Sequence, residues 1–214
     1  MKIKAIIKQF DFLAFVGAIV LLAGIKPYYL WNAPSVIDVG IKILAIIIFA
    51  FTANVLKGRN SILFILFFLF LFLFGLIRGV GLIDWLFTII PISCLPFVKE
   101  RFGNNCYKYF IYIYSTLMAV SLIVWTAVLL GSSLPAQIIE PLNSIKDYNY
   151  LGYPLLLVPL KENIMQSIRF ASVFDEPGVV GTISLICLYI NGFNMRKWYN
   201  IVIIISGIWY FSLM

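Results

Sequence analysis

"ILFILFFLFLFLFGLI", Ile62 to Ile77, contains no polar side chain. A helix that is apolar all round is buried in a large core or in lipid. The run therefore reads as a membrane span with much of its surface turned to lipid. The rest of the 214-residue chain agrees: it is 63% hydrophobic and only 12% charged, with a mean hydropathy of +1.02. A soluble domain is roughly half apolar and a quarter charged. The 19 phenylalanines and 12 tyrosines suit lipid contact and interfacial belts.

About twenty apolar residues cross the hydrocarbon core. Working outward from Ile62–Ile77, the other candidate spans are Phe10–Ile25, Val36–Leu56, Val80–Val98, Tyr109–Leu130, Val173–Ile190 and Ile201–Met214. The first is interrupted by Asp11, which leaves its start ill-defined. The expected fold class is an all-α integral membrane protein of about seven transmembrane helices, in a single polytopic domain over residues 1–214. "MKIKAIIKQF" at the start is followed by no A-x-A-like cleavage site, so the first span is expected to be uncleaved. The last run, "IVIIISGIWYFSLM", stops while still apolar, and the expectation is truncation of a longer parent.

Lysine and arginine set the orientation. With the N-terminus inside, the cytoplasmic segments hold ten cations: Lys2, Lys4, Lys8, Lys57, Arg59, Lys99, Arg101, Lys108, Arg196 and Lys197. The outer segments hold five, Lys26, Arg78, Lys146, Lys161 and Arg169, while Lys42 lies within a span. The net charge of +7 thus sorts to cytoplasmic loops and calls for no nucleic-acid partner. The long connection from Gly131 to Ser172 falls outside. Within it "LGYPLLLVPL", Leu151–Leu160, is apolar, too short to cross and carries two prolines. It is either a re-entrant or interfacial segment, or a loop hairpin on the headgroups.

The chain has no histidine. That removes the commonest general base, the histidine-paired nucleophiles and most zinc sites. Cys94, Cys106 and Cys187 are far apart with no CxxC, so free thiols are expected. The scattered outer carboxylates have no metal-ligand spacing, and neither metal nor cofactor is expected.

Polar chemistry concentrates in "RFASVFDEPGVVG", Arg169–Gly181. Pro177 suits the first turn of a helix, where its missing N–H costs nothing. Asp175 or Glu176 then stands at a helix entrance, favoured by the macrodipole and able to cap free N–H groups. Gly178 and Gly181 leave one face bare for a neighbouring helix. A capped, tightly packed helix start accounts for Asp175, Pro177, Gly178 and Gly181 without any activity. Arg169 needs another reason: it either snorkels to the interface or holds a phosphate bidentately. An arginine clamp with a carboxylate base would stabilise a diphosphate leaving group and deprotonate an acceptor hydroxyl. Lys161 joins the candidate substrate-binding residues. Tyr148, Tyr150 and Tyr153 of "DYNYLGY" are either sugar-stacking rings or belt residues.

"RFASVFDEPGVVGT", preceded by "LGSSLPAQIIEPLN…YNYLGYPL", resembles the central segment of bacterial surface-polysaccharide polymerases, the Wzy-type members of the O-antigen polymerase and ligase superfamily. Their arginine-phenylalanine pair, small residue and Glu-Pro-Gly helix opening map onto Arg169, Phe170, Ser172, Glu176, Pro177 and Gly178. The resemblance covers Leu130–Ile190, and family members are about twice as long, with a second large outer loop. It implies polymerisation of undecaprenyl-diphosphate-linked oligosaccharide repeats at the outer face of the bacterial cytoplasmic membrane. Arg169 would steady the diphosphate. Glu176 would be base or helix anchor, with a lean to anchor, and Asp175 a weaker base. The implied partners are the lipid-linked substrate, membrane lipids and other surface-polysaccharide assembly proteins. A ligase using a similar site is the second enzyme reading. A transporter or flippase of lipid-linked sugars is the third, and it would need ionisable groups deep in several spans, where only Lys42 stands out.

Overall fold

The computed structural model describes residues 11–55, 58–79, 81–141, 148–160 and 170–211. Its helices are α1 (Phe12–Gly24), α2 (Ser35–Thr52), α3 (Arg59–Ile77), α4 (Leu82–Cys94), α5 (Glu100–Leu129), α6 (Pro177–Ile190) and α7 (Trp198–Phe211), with short strands β1 (Gln137–Ile139), β2 (Tyr150–Tyr153) and β3 (Leu156–Pro159). Three of the described helices, α2, α3 and α5, are long and apolar enough to cross a membrane. The shorter apolar helices coincide with the remaining hydrophobic runs. The described residues form two compact units: the chain to Gly24 with Ala33–Phe110, and Ile25–Asn32 with everything from Ile111.

In the first unit α1 packs on α2, α2 on α4 and α4 on α3. Asp11 does not interrupt the first helix; it caps it. Its carboxylate accepts the Ala14 N–H at 3.1 Å and an Asn105 amide hydrogen at 3.3 Å, satisfying one of the donors a helix start leaves open. Gly17 lets the side chains of Phe102 and Cys106 from α5 come close, within 3.2 and 3.3 Å of where a Cβ would stand. Lys42 of α2 is ion-paired to Asp38, one turn earlier, at 2.7 Å and to Asp84 at the start of α4. An anti bridge between Ala53 and Val98, with Lys99 N–H donating to Thr52 O at 2.9 Å, ties the end of α2 to the approach of α5.

The apolar run that opens the sequence forms α3, in which Gly75 is the buried residue among those described. Phe64, Phe68 and Phe72 stack along it at helical spacing. Gly75 is needed because the N–H edge of the Trp85 indole comes against the helix there, donating to Leu71 O at 3.0 Å. A Cβ on Gly75 would overlap that ring.

In the second unit α6 and α7 pair as a helical hairpin. Buried Asn200 closes it, donating to Asn194 O at 2.8 Å and accepting from the Asn191 side chain at 3.1 Å. The expectation of an all-α chain fails in the connection between α5 and α6. There β1–β2–β3 form an antiparallel sheet, with Ile139 opposite Tyr150 and Tyr153 opposite Leu156. Within Leu151–Leu160 the chain folds back as a β-hairpin, and its prolines are compatible with that. Pro154 stands at the first position of a two-residue turn, where its fixed φ is suited. Pro159 sits on an edge strand, where a missing N–H is tolerated. A further difference is α5, which begins at Glu100 rather than Tyr109, because the polar residues before Tyr109 are compatible with helix although they lack an apolar signature.

Gly75→Ala should destabilise the full chain by about 1–3 kcal/mol through overpacking, read as a lower thermal midpoint in detergent. Gly40→Ala, where nothing lies within 4 Å of the added methyl, should leave the midpoint unchanged or raised.

Candidate functional site

Helix α6 begins at Pro177, and Glu176 is its N-cap residue with extended backbone (φ −135°, ψ 140°). The Glu176 side chain makes no capping hydrogen bond, so the expected carboxylate cap is absent from this position; its longer side chain is exposed instead. Asp175 is half-buried. The packed face of α6 runs through Val180, Ser184, Cys187 and Leu188, at helical spacing. Gly178 and Gly181 are half-buried. On α7, a Cβ added at Gly207 would stand 3.9 Å from Ser184 Cβ, an ordinary contact.

The carboxylates are held by what precedes them. Phe170, Ala171, Ser172, Val173 and Phe174 are all buried. Phe170 meets Trp125 edge-on at 5.9 Å, and Phe174 lies against Tyr114 at 6.5 Å. Buried backbone must find partners, and here they come from two directions. Ser172 O accepts Leu157 N–H of β3 at 2.6 Å, and Val173 O accepts Tyr28 N–H at 2.8 Å. Ser172 itself adopts φ +53°, unusual for a side-chain-bearing residue. Its hydroxyl meets Ser121 Oγ of α5 at 2.7 Å, while Ser121 donates to Leu155 O at the hairpin tip. On the other side of the entrance, Tyr114 O–H reaches Val180 O at 3.1 Å.

Tyr150 links the sheet to the motif. Its hydroxyl donates to Asp175 Oδ1 at 2.5 Å, and its ring, 1% exposed, meets Tyr148 at 5.4 Å and Trp31 at 5.7 Å, both edge-on. That burial corrects the expectation that Tyr150 stacks on a sugar: no ring surface is left for a ligand. Burial first, and then the hydrogen bond to Asp175, push the Tyr150 hydroxyl well above the usual tyrosine range. Tyr148 and Tyr153 are half-buried, and the Tyr153 carbonyl accepts the Tyr28 hydroxyl at 2.7 Å.

Arg169 and Lys161, the expected phosphate and substrate cations, lie outside the described residues, as do Lys146 and Glu162. The structure therefore brings together Asp175, Glu176, Tyr148 and Tyr150, and adds residues the sequence reading missed. These are Tyr28 and Trp31 from the first connection, and Ser121 from α5. The signal for the first two was present in "KPYYLWN", Lys26–Asn32, a cluster of aromatics in the connection between α1 and α2. Ser121 carried no signal. Beside Leu155, residues Tyr112, Ile113, Thr116, Leu117 and Val120 of α5 line an open, mainly apolar groove of about 390 Å³. All three cysteines are free and buried. Among the described residues no group of three or more cysteines and carboxylates could hold a metal ion.

Fold and site together define a mostly helical protein with several membrane-length apolar helices and a small sheet braced against one helix entrance. No family model, no curated protein and no solved structure matches the chain.

Tyr150→Phe should destabilise the chain by about 1–3 kcal/mol at neutral pH, because Asp175 loses its buried donor. A raised tyrosine value means the folded state retains its proton longer, so this contribution is complete below about pH 10, the ordinary tyrosine value. It is lost as pH rises from there towards the folded-state value. In alkaline unfolding, the gap between wild type and Tyr150→Phe should narrow above that pH.

Proposed function

We propose that this chain carries the outer-face site of an enzyme that polymerises oligosaccharide repeats linked to undecaprenyl diphosphate, in the bacterial cytoplasmic membrane. The observation that carries the reading is the Tyr150–Asp175 hydrogen bond, with which a small sheet holds a carboxylate at the start of an apolar helix. A lipid-linked sugar needs such a meeting of polar chemistry with an apolar wall. In this reading the chain crosses the membrane seven times with its N-terminus inside. The apolar groove beside Leu155 offers a surface for the prenyl tail.

In the reaction, the bond between the anomeric carbon of the growing glycan and its diphosphate oxygen breaks, and the lipid diphosphate leaves with the electron pair. A hydroxyl of the next lipid-linked repeat forms the new glycosidic bond and gives up its proton to a carboxylate. Asp175 already accepts from Tyr150, which suits it to hold the site in register. Exposed Glu176 is the better base, reversing the lean drawn from the sequence. Arg169 is the residue proposed to oppose the diphosphate charge. The transporter alternative is weakened, because Lys42, the ionisable residue within a span that favoured it, is paired with two carboxylates. Other polysaccharide-assembly proteins would be the enzyme's neighbours.

The test is a pair of chromosomal substitutions, Arg169→Ala and Glu176→Gln, with surface polysaccharide and lipid-linked intermediates run on gels and protein abundance checked. Loss of a catalytic base lowers a rate about 10²–10⁴-fold, so the long-chain ladder should disappear and single repeats remain. Accumulation of long lipid-diphosphate-linked polymer would assign the site to a ligase. An unchanged ladder at normal abundance in both strains would overturn the reading.

A further inference from the structure

Trp31 belongs to a connection more than a hundred residues upstream of the site, yet only Tyr150 separates it from Asp175. It meets the Tyr150 ring at 5.7 Å, and Tyr150 hydrogen-bonds Asp175. A tryptophan in an interfacial belt keeps its N–H for headgroups or water. Trp31 does not, since its indole N–H donates to Lys26 O at 2.9 Å. The neighbouring phenols behave alike, Tyr28 donating to Tyr153 O and Tyr150 to Asp175. With its N–H engaged by Lys26 O in an exposed bond, half-buried Trp31 keeps part of its surface accessible.

The ring is also fixed. Lys26 holds a left-handed backbone, φ +54°. Trp31 N–H closes a short helical turn onto Tyr28 O at 3.0 Å, and Tyr28 N–H pins that turn to Val173 O. Fixed aromatic surface binds at low entropy cost. Asn32 and Asn149, the sequence neighbours of Trp31 and Tyr150, are both exposed. Their side-chain amides have no hydrogen-bond partner among the described residues. An aromatic ring surface in a segment that also carries exposed uncharged donors and acceptors suits a pyranose, which has a C–H face and a rim of hydroxyls.

We propose that Trp31 is the floor of a saccharide platform beside the Asp175–Glu176 entrance, with Asn32 and Asn149 taking sugar hydroxyls. The choice of a sugar as ligand rests on the polymerase reading, but its test does not need turnover. The full chain in detergent is mixed separately with maltotetraose and chitotetraose, and with sorbitol as a control lacking a ring. Saturation transferred from protein to the sugar protons is then recorded by NMR. Wild type should transfer to the ring protons of at least one tetrasaccharide and not to sorbitol. Trp31→Ala should lower that transfer about tenfold, and Trp31→Phe, which keeps an aromatic floor, should recover part of it. Thermal midpoints accompany each variant, and Trp31→Phe decides the matter if Trp31→Ala does not fold. Absence of transfer in wild type, or equal transfer in wild type and the folded Trp31 variant, would overturn the platform. Ring binding that depends on Trp31, beside an unchanged polysaccharide ladder in Glu176→Gln cells, would uphold the platform and remove the polymerase. Loss of the ladder without sugar binding would do the reverse.

Discussion

The hydroxyl of Ser121 has one proton and two close neighbours. It donates to the Leu155 carbonyl, so the 2.7 Å contact with Ser172 must be an acceptance from the Ser172 hydroxyl. Both partners hold the left-handed backbone that side-chain-bearing residues avoid, at φ +58° and +53°, which costs about 1–3 kcal/mol each. Such conformations persist only where the surroundings over-determine them, and here one hydroxyl on α5 serves both. The hairpin tip and the segment leading into α6 therefore share a single anchor. Asp175 and Glu176, three and four residues beyond Ser172, inherit their position from it.

A second fastening lies beside the hairpin tip, on β3. Leu157 N–H donates to Ser172 O, so β3, which would otherwise expose an open edge, is paired to the segment it supports. Tyr150 then reaches from the middle strand to Asp175. Gly152, two residues further along β2, has no side chain because one would overlap Ile139 of β1. The sheet is small, with strands of three and four residues, but its neighbours supply what it lacks. A two- or three-stranded unit of this size is marginal by itself in water.

The helices were legible in the sequence because apolar run length is a local property, and Pro177 marked the start of α6 through local chemistry alone. What escaped notice was non-local. Strands β1 to β3 are defined by partners they meet in space, and a segment such as Leu151–Leu160 shows the same apolar residues whether it lies in a sheet or on a membrane. Tyr150 looked like an interfacial ring because burial by Trp31 depends on a connection far upstream. Asp175 and Glu176 both suited the helix entrance in the sequence, and only the fold shows Asp175 half-buried under the Tyr150 hydroxyl and Glu176 exposed. The opposite error occurred at Asp11, where a charge that looked like a flaw in a span is the cap of its helix.

Helix α5 has 30 residues and so extends about 45 Å, against a bilayer hydrocarbon thickness of about 30 Å. If α5 spans the bilayer, it must tilt or carry some of its turns beyond the acyl chains. Its composition favours the second course at one end. Glu100, Arg101, Asn104 and Lys108 fall in its first turns and are exposed, while the stretch after Tyr109 is almost wholly apolar. Thickness mismatch would then be absorbed by sliding a polar collar through the headgroups, leaving Ser121, deeper in the helix, at a constant depth.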